Sequence, residues 1–356
     1  MSTLLHSEIP FGRIQLRNRV IMAPMTRSRA VGNVPNEIMA RYYRQRADAG
    51  LIITEGTSPS PNGLGYARIP GLFNAEQVKG WRPVTDAVHQ AGGKIFVQLM
   101  HTGRASHPAN LPADGRTLAP SAIGLTGTIY TDSQGPQPYP VPKAMTADEV
   151  EAAIAEFVHS SRLAIEAGFD GVELHGANGY LIDQFLNSAS NHRTDQWGGS
   201  IENRIRFPLE IAQRVSEAIG PDRVGIRISP YGVFNDMKPD AEMDAMYERL
   251  TRELNQLGIV YIHVVDHSSM GAPEVSPTLK RKIRQQFRGH YILSGGYDAQ
   301  RAEVDLAEKK GDVVAFGRPF ISNPDLVAKL REGKPLATAD PGTFYTPGEK
   351  GYTDYA

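Results

Sequence analysis

Residues 146–175, TADEVEAAIAEFVHSSRLAIEAGFDGVELH, read as one complete helix–turn–strand unit. Thr146 followed three residues later by Glu149 forms a capping box, in which hydroxyl and carboxylate satisfy free amides at a helix start. Val150, Ile154, Val158, Ser161 and Ile165 then recur at helical spacing and predict one buried face. Gly168 stops the helix, since a residue without Cβ enters the left-handed conformation at no steric cost. Gly171-Val-Glu-Leu-His175 follows as a short strand.

The same grammar recurs. A helix from Ile38 to Ala49 ends at Gly50 before the strand Leu51 to Thr54, and Asn74 caps a helix that ends at Gly92-Gly93 before Lys94 to Leu99. Ile201 to Ile219 reads as a helix that kinks or restarts at Pro208, leading to the strand Val224 to Ile228. Asp240 is expected to cap a helix with Met243, Met246, Leu250, Leu254 and Leu257 on one face, which Gly258 ends before Val260 to Val265. Pro277 opens a helix leading to Tyr291 to Ser294, Asp298 caps one leading to Val313 to Phe316, and a last helix starts at Asn323-Pro324. With Val20 to Met22 as the first, eight strands alternate with helices.

Such alternation implies parallel strands joined by right-handed crossovers. A dinucleotide-binding open sheet would need Gly-x-Gly-x-x-Gly after its first strand, where this chain has Ala23-Pro-Met-Thr26. The expected fold is therefore α/β, a single (β/α)8 TIM barrel over residues 1–356. Phe11 to Arg19 reads as a β-hairpin floor, and the Gly/Pro-rich stretch 103–143 as a lid-type insertion after the third strand.

Composition narrows the chemistry. The 356 residues include no cysteine, which excludes disulfides, thiolate zinc sites, iron–sulfur clusters and a cysteine nucleophile. A net charge of −1 offers nucleic acid and anionic membranes no general attraction. No run approaches the ~18 apolar residues of a membrane span. MSTLLHSEIPFGRI lacks the basic-then-apolar build of a signal peptide, so a cytoplasmic protein is expected.

Barrel enzymes draw their chemistry from the C-terminal ends of strands. Those ends carry Thr26, Gly56, Gln98, His175, Arg227, Asp266, Gly295-Gly296 and Gly317-Arg318. The two glycine pairs follow the seventh and eighth strands, where barrels commonly bind phosphate, and Arg318 adds a bidentate donor. Singly each also reads as a simple turn. Arg227 sits among apolar neighbours and needs either a carboxylate or an anionic cofactor ring. His175, Asn178 and Tyr180 fall within one turn: two donors to polarise a carbonyl oxygen and a phenol to deliver a proton, or a histidine satisfied by backbone beside a packed aromatic. His263 and His267, four apart, would share one face of a strand, but His267 falls beyond the strand and a catalytic metal normally needs three protein ligands, so no metal is expected.

These residues carry a resemblance. His175-Gly-Ala-Asn178-Gly-Tyr180-Leu-Ile-Asp-Gln-Phe-Leu-Asn187, Asn191-His-Arg-Thr-Asp195 and Gly-Gly-Ser200-Ile-Glu-Asn-Arg-Ile-Arg-Phe207 resemble the Old Yellow Enzyme family of flavin-dependent ene-reductases, in its classical bacterial branch. The match runs from Pro10 to Gly351-Tyr-Thr-Asp-Tyr355 and includes Leu16-Arg-Asn-Arg19, Ala23-Pro-Met-Thr26, Ser229-Pro-Tyr-Gly-Val-Phe-Asn-Asp-Met237 and Phe316-Gly-Arg318.

The resemblance implies non-covalent FMN over the barrel mouth. Ala23, Pro24, Met25 and Thr26 would line one flavin edge, Gly56 and Gln98 the pyrimidine portion, Arg227 the N1/O2 side, and Gly295, Gly296, Gly317 and Arg318 the phosphate. It also implies a cycle in two halves. NADH or NADPH reduces FMN and leaves; an electrophilic alkene then binds with its activating oxygen on His175 and Asn178. The alkene takes hydride from flavin N5 at its β-carbon and a proton from Tyr180 at its α-carbon. Tyr66 and Tyr345 match tyrosines at the edge of the substrate pocket.

Two positions depart from the family pattern. Met100 stands where relatives often have tryptophan and should soften the pocket wall, and Trp197 stands where tyrosine is common. Without cysteine, the chain falls outside both the iron–sulfur dienoyl-CoA reductases and the branch with cysteine beside the flavin. Nitrate-ester or nitroaromatic reduction on the same scaffold is the alternative. A metal-dependent hydrolase using His263, Asp266 and His267, or a barrel that only binds FMN, is a more distant one. The sequence leaves open NADH against NADPH, and monomer against homodimer.

Overall fold

Side chains of successive strand residues point to opposite faces, and this alternation divides the apolar interior in two. Val20, Met22, Ile52, Val97, Leu174 and Ile226 join a large cluster shared with the helices, whereas Ile21, Ile53, Phe96, Tyr261, Ile292 and Val313 form a second cluster. A sheet with apolar packing on both faces, one face closed on itself, is a barrel. The computed structural model describes residues 3–355; Met1, Ser2 and Ala356, the ends of the expected 1–356 unit, lie outside the described residues.

Eight parallel strands close the barrel in chain order: β1 (Val20–Met22), β2 (Leu51–Thr57), β3 (Ile95–Leu99), β4 (Gly171–Gly176), β5 (Val224–Ile228), β6 (Tyr261–Val265), β7 (His290–Ser294) and β8 (Val313–Phe316), with β8 pairing back to β1. Two glycines make the interior packable: a Cβ on Gly171 would lie 2.5 Å from the Phe96 ring, and one on Gly225 2.2 Å from the Tyr261 ring. The floor is an antiparallel hairpin, Ile9–Phe11 with Ile14–Leu16, starting slightly earlier than expected. Phe11 plugs the barrel, its ring 5.4 Å from Tyr261 and stacked 4.6 Å from His290.

The capping box at Thr146 forms with both arms, and Gly168 takes φ +92° after the helix Ala147–Glu166. Asn74 and Asp298 cap their helices as expected. The Ile201–Ile219 helix splits at Ile205, so Pro208 falls in the first turn of the second piece, Arg206–Ile219. Three expectations need correction. The first helix spans Glu37–Arg44 and does not reach Ala49, because Arg46 Nη1 takes the carbonyl of Tyr42 that a continuing helix would use. Asp240 does not cap Met243–Leu257; its carboxylate instead accepts from Ser188 Oγ, Arg204 and the amide of Glu242. The last helix is Leu326–Glu332, since Asn323 binds both backbone groups of Ala337 and anchors the C-terminal segment. Two short helices, Leu181–Leu186 and Arg318–Ser322, were not anticipated by periodicity.

The 103–143 insertion after β3 contains an antiparallel hairpin, Thr128–Thr131 with Gly135–Pro138. Among the described residues no helix is long and apolar enough to cross a membrane.

Candidate active site

Parallel register brings the polar strand residues level. His175 of β4 is the partner of Arg227 on β5, which is the partner of His263 on β6, while Glu173 sits between Gln98 on β3 and Gly225. Above this layer lies a cavity of about 910 Å³. Strand ends and their loops supply Pro24, Thr26, Tyr66, Met100, His175, Asn178, Tyr180 and Arg227; the insertion supplies Ile129, Tyr130 and Tyr139; the C-terminal segment supplies Pro341, Gly342, Tyr345, Thr346 and Pro347, with Tyr345 62% exposed.

His175 is a neutral donor. Burial, reinforced by Arg227, holds its pKa well below the ordinary value. Its Nδ1 accepts from the amide of Ala177 at 3.3 Å, so the ring proton sits on Nε2. Asn178 also lines the cavity, in the left-handed conformation at φ +59°. Its amide donates to Ser229 Oγ at 2.9 Å and its carbonyl accepts from Asn235 Nδ2 at 2.8 Å, two bonds that hold this costly backbone. Tyr180 packs edge-on to the His175 ring at 4.9 Å and donates to Tyr66 Oη at 3.3 Å. Burial pushes the Tyr180 phenol up to about 12, so it carries its proton at neutral pH.

Arg227 is 7% exposed, and its buried Nε has no hydrogen-bond partner among the described residues. Burial lowers its pKa while Glu173 pulls the other way. Glu173 is nonetheless engaged elsewhere, with Gln98 Nε2 at 2.8 Å and His263 Nδ1 at 2.8 Å. An unpartnered guanidinium aimed into a cavity calls for an electron-rich ligand edge. At the far strand ends, Gly295 takes φ +129°, and a Cβ there would lie 2.3 Å from the Asp266 carbonyl. Arg318 is exposed and has no carboxylate partner among the described residues; its nearest polar contact is Met270 Sδ at 3.3 Å. A buried cation at one end and glycines with a free arginine at the other suit a polar ring system carrying a phosphate, and FMN fits that donor set.

Of the residues singled out from sequence, Pro24, Thr26, Tyr66, His175, Asn178, Tyr180, Arg227 and Tyr345 share the cavity. Gly56 lies under Met100, whose Sδ would be 2.4 Å from an added Cβ, and Gln98 turns inward to Glu173. A Cβ placed on Gly317 would lie 3.7 Å from Met25 Sδ and 3.9 Å from Ala23 Cβ. Gly295, Gly296, Gly317 and Arg318 stand at the ends of β7 and β8, outside the lining of that cavity. His263 and His267 do not converge: one bonds Glu173 inside the barrel, the other Asn178. Asp266 binds Lys280 at 2.5 Å. Trp197 is buried beside Phe207, away from the cavity lining.

Sequence reasoning passed over Arg27, Arg29 and Arg68. Arg29 Nη groups donate to the carbonyls of Thr343, Phe344 and Lys350, and Arg27 Nη2 to that of Gly351, fastening the C-terminal segment beside the cavity. Arg68 donates to the Ser28 carbonyl at 3.0 Å and the Tyr345 carbonyl at 2.9 Å and pairs with Asp132 of the insertion. Glu173 had a readable signal, because it shares strand parity with His175 and must face the interior.

A family model described as NADH:flavin oxidoreductase / NADH oxidase family matches residues 5–337. A probable flavin mononucleotide-dependent alkene reductase of Leishmania infantum is 43% identical over 347 residues, covering 96% of this chain and 93% of that protein. A structure of morphinone reductase in complex with tetrahydroNAD superposes with a TM-score of 0.94 at 43% identity, covering 99% of this chain and 97% of that one. The old yellow enzyme homologue of Zymomonas mobilis gives 0.94 at 40% identity and 99% coverage of each chain.

Proposed function

The chain belongs to the NADH:flavin oxidoreductase / NADH oxidase family, that of the Old Yellow Enzymes, and from this premise we propose that it reduces the activated C=C bond of α,β-unsaturated carbonyls, maleimides and nitroalkenes. Family membership makes it an FMN-dependent oxidoreductase of the alkene-reductase type that draws on NADH or NADPH. FMN, when bound, would supply the hydride chemistry between the nicotinamide and the β-carbon of the alkene.

The protein's own groups do the rest. Arg227 would hold the N1/O2 side of the flavin, where its fixed charge favours the anionic reduced form. Gln98 Nε2 is engaged by Glu173, which leaves Oε1 to accept from the pyrimidine ring beside Gly56. Thr26 would donate to the ring carbonyl beside N5, with Ala23, Pro24 and Met25 along that edge, and Gly295, Gly296, Gly317 and Arg318 would take the phosphate. His175 Nε2 and Asn178 would bind the activating oxygen, and their hydrogen bonds strengthen as enolate charge develops. Tyr180 would protonate the α-carbon, with Tyr66 and Tyr345 flanking the alkene.

One observation carries this reading: a neutral histidine donor, an asparagine and a protonated phenol face a single cavity beside an unpartnered arginine. The test is NADPH-driven reduction of 2-cyclohexenone by the purified holoenzyme, followed by product analysis. Cyclohexanone formed in step with NADPH consumption is expected. A flavin-loaded protein that passes electrons only to oxygen and leaves the enone intact would overturn the proposal.

A further inference from the structure

His267 lies just past β6, beyond the groups assigned to substrate, and points at one of them. Its Nε2 is 2.7 Å from Asn178 Oδ1. An amide oxygen only accepts, so the imidazole donates. The backbone amide, the backbone carbonyl and Oδ1 of Asn178 are thereby all engaged, by Ser229, Asn235 and His267. Nδ2 alone is left without a partner among the described residues, on a side chain that lines the cavity.

We propose that His267 is a positioning residue, which locks the Asn178 amide so that Nδ2, and not Oδ1, meets the activating oxygen of the substrate. The inference rests on the binding role given to Asn178 above. An asparagine amide has two orientations related by a half-turn of a soft terminal torsion. In the turned state Nδ2 would face the imidazole N–H, and Oδ1 would confront a carbonyl or nitro oxygen, acceptor against acceptor. His267 removes that state. Its own ring is held edge-on to Phe234 at 4.8 Å, and its carbonyl accepts from the amide of Met270 at 2.8 Å. Burial and the charge of Arg227 push its pKa down to about 4, so it is neutral in the working range and adds no competing charge to the site. With His175 presenting Nε2–H from the same cavity wall, the result is two fixed neutral donors lining one pocket for one acceptor. The ligand class that fits is an oxygen with lone pairs and no proton: a ketone, aldehyde, imide or nitro group.

The test measures binding of cyclohexanone, which accepts hydrogen bonds and cannot be reduced at carbon–carbon, by perturbation of the flavin spectrum of the holoenzyme. His267→Leu and His267→Phe remove the donor; His267→Gln keeps one at similar reach. Both donorless variants are expected to raise the cyclohexanone Kd roughly five- to tenfold, the worth of one hydrogen bond, and His267→Gln to stay within about twofold of the parent. Two donorless side chains of different shape keep the test alive where one fails to load FMN. In an Asn178→Ala background the His267→Leu effect should vanish. Parental affinity in the donorless variants, loss in His267→Gln as large as in His267→Leu, or a His267→Leu effect that persists without Asn178 would each overturn the positioning role. Parental affinity in Asn178→Ala itself would instead remove the binding role of Asn178, a distinct failure that takes this inference with it.

Discussion

Glu173 and His263 meet inside the barrel, Oε2 2.8 Å from Nδ1, with neither side chain exposed to solvent. Burial lowers the His263 pKa against the pull of Glu173, and the His263 Nδ1–H donates to Glu173 Oε2. The other Glu173 oxygen accepts from Gln98, which makes one side chain the common acceptor beneath the proposed flavin site. Glu173→Leu would strand two buried donors and should lower stability by roughly 2–4 kcal/mol, read as a shift in guanidinium midpoint at fixed FMN concentration. An unshifted midpoint would mean that neither donor depends on Glu173.

Tyr180→Phe separates the two halves of the proposed cycle. The phenol is held protonated and its removal deletes the α-carbon proton source, so single-turnover enone reduction should slow by about 10²-fold or more. Flavin reduction by NADPH, which needs no proton from Tyr180, should stay within a few-fold. Stopped-flow traces showing equal losses in both would refute the assignment.

Arg227→Met exchanges an unpartnered buried cation for an apolar chain of similar length. FMN affinity of the apoprotein should fall at least about tenfold, and the midpoint potential of residual bound flavin should drop. The apoprotein itself should lose little stability, since the Arg227 side chain makes no hydrogen bond among the described residues. Fluorescence titration with FMN and thermal melts of the apoprotein measure the two arms.

Glu55 gives a pH dependence with a definite sign. Burial pushes its carboxyl up from 4.5 to about 7, against bonds from the Arg27 amide at 3.3 Å and Tyr43 Oη at 3.2 Å. The folded state thus binds the proton more tightly than the unfolded chain. Its contribution is fully present below about pH 4.5 and is lost as pH rises through 7, on the order of 3 kcal/mol across that window. Glu55→Gln should flatten the fall in urea midpoint between pH 5 and 8. A variant with the parental slope would place the titration elsewhere, for instance at Asp183, whose carboxyl burial also lifts to about 7.

What the sequence makes legible follows from what is local. The capping box at Thr146, the glycine at 168 and the strand that runs from Gly171 through His175 each depend on neighbours within a turn or a strand, and each is found in place. Strand order then carried most of the candidate site to one mouth, because closing a barrel brings all strand ends together. The longer-range bonds could not be read. His267 was visible only as a possible metal ligand, since the amide it holds is 89 residues away. Arg27 and Arg29 reach backbone carbonyls more than 310 residues distant, and a carbonyl leaves no trace in residue identity. Asp240 misled for the same reason, its carboxylate being claimed by Ser188 and Arg204 rather than by its own helix.

Arg68 joins the loop after β1, the insertion and the C-terminal segment, through Ser28, Asp132 and Tyr345. Of these three stretches, the insertion and the C-terminal segment hold no group assigned to hydride or proton traffic. What is admitted and what is done to it are therefore inherited on separate lengths of chain. Drift in the rim can retool such an enzyme for new guests while the strand ends go on performing the old reaction, so long as the arginines that hold the rim stay in place.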